Sequence, residues 1–114
     1  MIDLEVTELG NRSDARIALI GDLDDAGGKV ARRNLALAVK SGKINLLIDL
    51  DSVGALTSGG LAALIATLRL ARNRGGDVQV QASQPHIHRV MELTGLSRVF
   101  RLSPSNLPAI AAAA

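Results

Sequence analysis

A nearly continuous apolar run at residues 44–50, with the sequence INLLIDL, constrains the fold of this chain more than any other feature. The run has the length of a strand, and both of its faces are apolar, which is typical of a strand that is covered on both sides of a sheet. Such strands occur mainly where helices pack against a sheet with parallel neighbours. We therefore expect residues 44–50 to form the central strand of an α/β domain.

Helical spacing and strand alternation predict the elements around this run. They are a strand at 2–7, a turn at 10–14, a strand at 16–20, helices at 26–40 and 61–74, a strand at 78–82, a helix that starts at Pro85 after a Ser83 cap, and a strand at 99–102. The first two strands are expected to form an antiparallel hairpin, and the later ones to be parallel, joined by right-handed crossovers. This order predicts an α/β domain with a mixed sheet of about five strands flanked by about four helices.

One compact domain is expected for a chain of 114 residues. We place its core at residues 2–103 and interpret residues 104–114, which end in alanines, as a C-terminal helix or a frayed tail. The longest apolar stretch, residues 61–68, is far shorter than the ~20 residues of a bilayer-spanning helix, and the acidic start lacks a signal peptide's basic region. The chain has no cysteine, which fits a reducing compartment. These features predict a cytoplasmic protein without membrane insertion.

Charge is distributed unevenly along the chain, although the net charge is only +2. Residues 1–25 hold seven acids and two arginines, whereas residues 26–114 hold eleven basic residues and four acids. A basic side of this kind can bind nucleic acid, but single-stranded recognition relies on aromatic side chains that stack on bases. The chain has a single aromatic residue, Phe100. We therefore expect no direct nucleic-acid partner and interpret the arginines as solvating helix faces.

The segment at residues 51–60 links the central strand to a helix and is the best candidate for a functional loop, because α/β sheets place their sites at the carboxyl ends of strands. A hydroxyl of Thr57 or Ser58 is expected to cap the helix, and the amides after it favour an anion. A hydroxyl that only caps the helix, without any binding function, accounts for the same residues. A P-loop is excluded because Leu61, not lysine, follows Gly60.

Other side chains with catalytic or metal-binding chemistry do not complete a site. Five aspartates follow two strands, namely Asp22, Asp24, Asp25, Asp49 and Asp51. They suggest a phosphoaspartate receiver, but a receiver needs a late lysine and the last lysine here is Lys43. His86 and His88 are two residues apart and therefore point to different helix faces. We expect no enzyme, no cofactor and no bound metal.

Three short motifs, in order and at matching intervals, carry a family resemblance. They are residues 21–24 (GDLD), residues 44–64 with the central strand and the loop after it, and residues 95–100 (GLSRVF). With these motifs the chain resembles the STAS domain, in particular the bacterial anti-sigma factor antagonists. The resemblance implies a mixed sheet flanked by helices and a protein that works by binding partners.

The resemblance also implies a partner switch regulating transcription. In it the unphosphorylated protein binds an anti-sigma factor that is also a serine kinase, and thereby releases a sigma factor. Ser58 stands at the family's phosphoacceptor position, and a serine phosphatase acting on phospho-Ser58 is implied as well. The implied partner-binding residues are Asp22, Asp24, Thr57, Ser58, Gly59 and Gly60. Thr57 replaces the motif aspartate and Gly59 its second serine, and the oligomeric state, including a homodimer, stays open.

Two alternatives remain at this point. The same fold serves as a STAS subunit of membrane transporter complexes, where it docks an ATPase subunit without serine phosphorylation. A small nucleotide-binding or receiver-like signalling domain is the other alternative, and magnesium-dependent acyl phosphate labelling distinguishes it from a STAS domain.

Overall fold

Five strands and three α-helices make up the part of the chain that the computed structural model describes, residues 2–103. The strands are β1 (Asp3–Leu9), β2 (Asn11–Leu23), β3 (Asn45–Leu56), β4 (Asp77–Gln81) and β5 (Arg101–Ser103). The helices are α1 (Asp25–Lys40), α2 (Ser58–Asn73) and α3 (Pro85–Leu93), followed by a 3-10 turn at Leu96–Arg98.

The strands form one sheet in the order β1-β2-β3-β4-β5. The pair β1–β2 is antiparallel, and the three other pairs are parallel, so the sheet is mixed as predicted. β3 lies in the middle with a parallel neighbour on each side, which confirms the interpretation of the apolar run. The hairpin is also confirmed, but its turn is centred on Gly10, at φ +86°, and β2 already begins at Asn11.

One apolar cluster holds the helices on the sheet. It contains alternate residues of the three inner strands, such as Ile17, Ile48 and Val80, together with side chains from all three helices. Alternate strand residues share one face of a sheet, so the helices pack against the same face. Leu47 on the opposite face is also fully buried. The expectation of a central strand covered on both faces is therefore confirmed.

Three predictions about elements need correction. Four strands have five or more residues and the fifth has three, while the described residues contain three α-helices and a 3-10 turn rather than about four helices. The predicted last strand at 99–102 begins two residues later, because a 3-10 turn occupies Leu96–Arg98. Ser83 does not cap α3; Gln84 occupies that position. The predicted C-terminal helix or tail at 104–114 lies outside the described residues.

No helix within residues 2–103 combines the length and the apolar character needed to cross a membrane.

Candidate functional site

The segment between the central strand and α2 is an extension of β3 and not the predicted open loop. β3 continues to Leu56 and stays paired with β2, with Val53 opposite Gly21 and Leu56 opposite Leu23. The Thr57 backbone N–H then donates to the Leu23 carbonyl at 3.1 Å. Ser58 therefore starts α2 directly beside the end of β2, where α1 also begins.

Gln84, the N-cap of α3, and His86 in the first turn of α3 hold the other edge of this extension. β4 pairs with β3 only as far as Asp49, so the carbonyls beyond it have no strand partner on that side. Gln84 Nε2 donates to the carbonyls of Leu50 at 2.7 Å and Val53 at 3.0 Å. His86 Nε2 lies 2.7 Å from the Gly54 carbonyl and acts there as the donor. The extension is thus held by side chains where a strand would otherwise be needed.

Carboxylates near the site bond to the protein's own donors. Asp51 accepts from Gln81 Nε2 at 3.0 Å and from the Ser83 N–H at 2.7 Å. The largely buried Asp49 forms an ion pair with Arg16. Within residues 2–103 no group of three or more acidic, histidine or cysteine side chains is placed to hold a metal ion. This arrangement does not resemble the shared acidic cluster that a phosphoaspartate receiver requires.

Asp22 and Asp24, both predicted to contact a partner, accept hydrogen bonds from backbone N–H groups. The exposed Asp22 accepts from the Ala55 N–H at 3.0 Å and so ties β2 to the extension of β3. Asp24 is the N-cap of α1, and its carboxylate accepts from the Gly27 N–H at 2.8 Å. Both carboxylates remain at least partly exposed. A substitution at Asp24 therefore removes a helix cap in addition to changing the surface charge.

Thr57 and Ser58 do not form the predicted hydroxyl cap. Thr57 occupies the N-cap position of α2, but its side chain makes no capping bond. Ser58 is the first residue of the helix, it is exposed, and its hydroxyl bonds to no residue that the structure describes. The prediction of a cap is wrong, and Ser58 is left as an accessible hydroxyl at the positive end of a helix.

Glycines allow α1 and α2 to approach each other and the sheet closely. A Cβ on Gly28 would lie 2.6 Å from the Gly59 carbonyl oxygen, which is closer than real Cβ atoms come. A Cβ on the buried Gly60 would overlap the Leu23 carbonyl and lie 2.7 Å from Leu23 Cγ. Gly59 is half-buried. Gly60 is therefore a packing residue, whereas the other five residues predicted to bind a partner are exposed or half-buried.

Sequence reasoning missed Gly28, Gln84 and His86. Gly28 carried a usable signal, since two glycines early in a helix cost stability unless a close contact requires them. Gln84 and His86 carried none, because their partners are 31 to 34 residues away in the chain. In the structure His86 is exposed and His88 is half-buried.

Comparisons with known proteins match this chain to a STAS domain and to anti-sigma factor antagonists. The family model described as "Mlab, STAS domain" matches residues 7–104. The anti-sigma F factor antagonist of Paenibacillus polymyxa is 20% identical over 110 residues, which are 96% of this chain and 94% of that protein. The putative anti-sigma factor antagonist BtrV of Bordetella bronchiseptica is 26% identical over 94 residues, 82% of this chain and 81% of that protein.

A solved structure agrees over the whole fold. The crystal structure of an anti-sigma factor antagonist from Mycobacterium paratuberculosis superposes with a TM-score of 0.82 at 26% identity, covering 99% of this chain and 92% of that one. The names of these relatives are those of regulatory proteins and not of enzymes.

Proposed function

The chain belongs to the STAS domain family, and we propose that it is an anti-sigma factor antagonist in the cytoplasm, where it binds an anti-sigma factor that is also a serine kinase. Binding releases the sigma factor, and phosphorylation of Ser58 ends the binding. A serine phosphatase that acts on phospho-Ser58 restores the binding form. The names of the relatives support the first part of this proposal.

The placement of Ser58 is the observation that carries the proposal. Its hydroxyl is exposed, free of hydrogen bonds to residues 2–103, and located at the first position of α2. A kinase can reach such a group without unfolding anything. The segment before it is held on both edges, by Asp22 on one side and by Gln84 and His86 on the other. The hydroxyl is therefore presented from a fixed backbone.

A phosphate on Ser58 is compatible with the fold. The helix dipole at the start of α2 favours an added anion by ~0.3 to 1 kcal/mol. Asp25, whose Cα would lie 2.7 Å from a Cβ on Gly59, places an opposing carboxylate on the neighbouring helix. Because the two effects oppose each other and the Ser58 hydroxyl has no hydrogen bond to lose within residues 2–103, we expect the phosphorylated domain to stay folded.

A bound partner responds differently to the same phosphate. The modification adds about −1.5 to −2 charges at residues 57–59, which are themselves neutral but lie beside the carboxylate of Asp25. In an interface these charges lose their water shell and repel any facing carboxylate. Thr57 in place of the family's aspartate leaves the unmodified surface less acidic. The difference in charge between the unmodified and the phosphorylated surface then comes from the phosphate alone.

Affinity capture with the wild type and two Ser58 variants as baits tests the proposal. Wild type and Ser58→Ala are expected to retain an anti-sigma factor from a lysate of the source cells, whereas Ser58→Asp is expected to lose it. After incubation of the captured kinase with ATP, mass spectrometry should find phosphate on Ser58 in the wild type and none in Ser58→Ala. Phosphate on Thr57, or on no residue, would reject Ser58 as the acceptor. Retention of a transporter ATPase by all three baits would favour the transporter alternative.

A further inference from the structure

A groove runs between the outer surfaces of α1 and α2 and begins at Gly59, one residue after Ser58. Two adjoining hollows of about 270 and 280 Å³ form it, and Arg32 lines both of them. The α2 side consists mainly of small apolar side chains, including Ala62 and Ala66. The α1 side carries Lys29, Arg32 and Lys40. The groove is therefore apolar on one wall and positively charged on the other.

The cations of this wall have no acidic partners within residues 2–103. The ion pairs among those residues join Arg16 to Asp49, Lys43 to Glu8 and Arg72 to Asp77. Lys29, Arg32 and Lys40 are exposed and take no part in them. Among the groove residues Asp25 is the one acid, at the end next to Gly59. Unpaired cations along an apolar groove attract a ligand that brings carboxylates and methyl groups.

We propose, on the basis of the proposed function, that this groove docks an acidic segment of the anti-sigma factor, with its carboxylates against Lys29, Arg32 and Lys40. Small apolar side chains of the same acidic segment lie against Ala62 and Ala66. A single-stranded nucleic acid fits less well. Stacking needs exposed aromatic rings, and Phe100, the one aromatic residue of the chain, is buried.

The position of the groove links it to the switch. Consecutive Cα atoms are about 3.8 Å apart, so a phosphate on Ser58 lies within the ~8 Å screening length of the groove end at Gly59. Its negative charge there reduces the attraction of Lys29 and Arg32 for the partner's carboxylates. Phosphorylation therefore weakens docking at the end of the groove next to Gly59, in addition to its effect at Ser58 itself.

Charge reversal in the groove, with a matched reversal elsewhere, tests the inference. The affinity of the captured anti-sigma factor is measured by calorimetry, at low and physiological salt, for wild type, Arg32→Glu and Arg89→Glu. Arg89 is exposed on α3, away from the groove. We expect Arg32→Glu to lose about tenfold or more in affinity and part of the salt dependence, and Arg89→Glu to change by less than about twofold. Circular dichroism checks that both variants stay folded.

A second experiment tests binding in the groove with a model peptide in place of the natural partner. A glutamate-rich helical peptide is titrated into the protein, and amide NMR shifts are expected at Arg32, Ala62 and Ala66. Shifts elsewhere, or stronger binding of a thymidine oligonucleotide or of phosphatidylserine vesicles at these amides, would overturn the inference. If Arg32→Glu and Arg89→Glu bind the anti-sigma factor with equal affinity while Ser58→Asp does not bind it, the groove inference is overturned and the proposed function is left intact. Groove shifts with the peptide but no captured anti-sigma factor would support the groove and reject the proposed function.

Discussion

Replacing Gly60 by alanine tests the close contact on which the position of α2 depends. Alanine is favoured over glycine inside a helix by about 1 kcal/mol, so helix propensity alone predicts a more stable protein. The structure predicts the opposite. The new Cβ would overlap the Leu23 carbonyl oxygen, lie 2.7 Å from Leu23 Cγ and 2.9 Å from the carbonyl carbon. Because the overlap involves backbone, α2 must move away from β2.

The size of the effect follows from that movement. Overpacking of a buried site costs ~1 to 3 kcal/mol, and displacement strains the bond from the Thr57 N–H to the Leu23 carbonyl, which contributes ~0.5 to 1.5 kcal/mol. After subtraction of the propensity gain, Gly60→Ala should lower the free energy of unfolding by ~1 to 3 kcal/mol. Urea unfolding measures this, with Ser58→Ala as the control, because the exposed hydroxyl is unbonded and its loss should stay within ~0.5 kcal/mol. A Gly60→Ala variant at least as stable as wild type would refute the packing argument.

Two further predictions concern the residues that hold the site. His86→Leu removes the donor to the Gly54 carbonyl and should cost ~0.5 to 1.5 kcal/mol. Hydrogen exchange should then accelerate at the amides of residues 54–57 and remain unchanged in β1; an unchanged rate at 54–57 would show that the His86 bond does not hold the extension. Asp24→Ala removes the cap of α1 and should cost ~0.5 to 2 kcal/mol, measured by urea unfolding. Unfolding identical to wild type would show that the carboxylate acts only at the surface.

The central strand and the helices could be predicted because their signals are local. Residues 44–50 carry enough apolar side chains to identify a buried strand, and α1 and α2 have regular apolar spacing. The extension of β3 could not be predicted in the same way. Asp51 and Gly54 are residue types that favour turns. The groups that keep this segment extended are the backbone of β2 and the side chains of Gln84 and His86, all more than thirty residues away in the chain.

The predicted candidate site lies at the carboxyl end of β3 in the structure, but the predicted hydroxyl cap is wrong. The three short motifs of the family resemblance are not needed to find it, since the carboxyl end of a central parallel strand is the expected position in an α/β sheet. A hydroxyl cap was the natural expectation for a threonine and a serine before a helix. In the structure the Thr57 side chain makes no capping bond and Ser58 is exposed, although the Thr57 backbone is extended like that of Asp24, which does cap its helix. Local sequence does not encode that geometry.

The residues around Ser58 fall into two groups with different experimental consequences. Asp24, Gly60 and His86 bond to or pack against backbone, so their substitution changes the free energy of unfolding and moves the site at the same time. Ser58 makes no such contact with the residues that the structure describes. A loss of partner affinity in Ser58→Asp at unchanged stability is therefore attributable to the surface itself. The same loss in a Gly60 or His86 variant must first be corrected for the displacement of α2 or of the β3 extension.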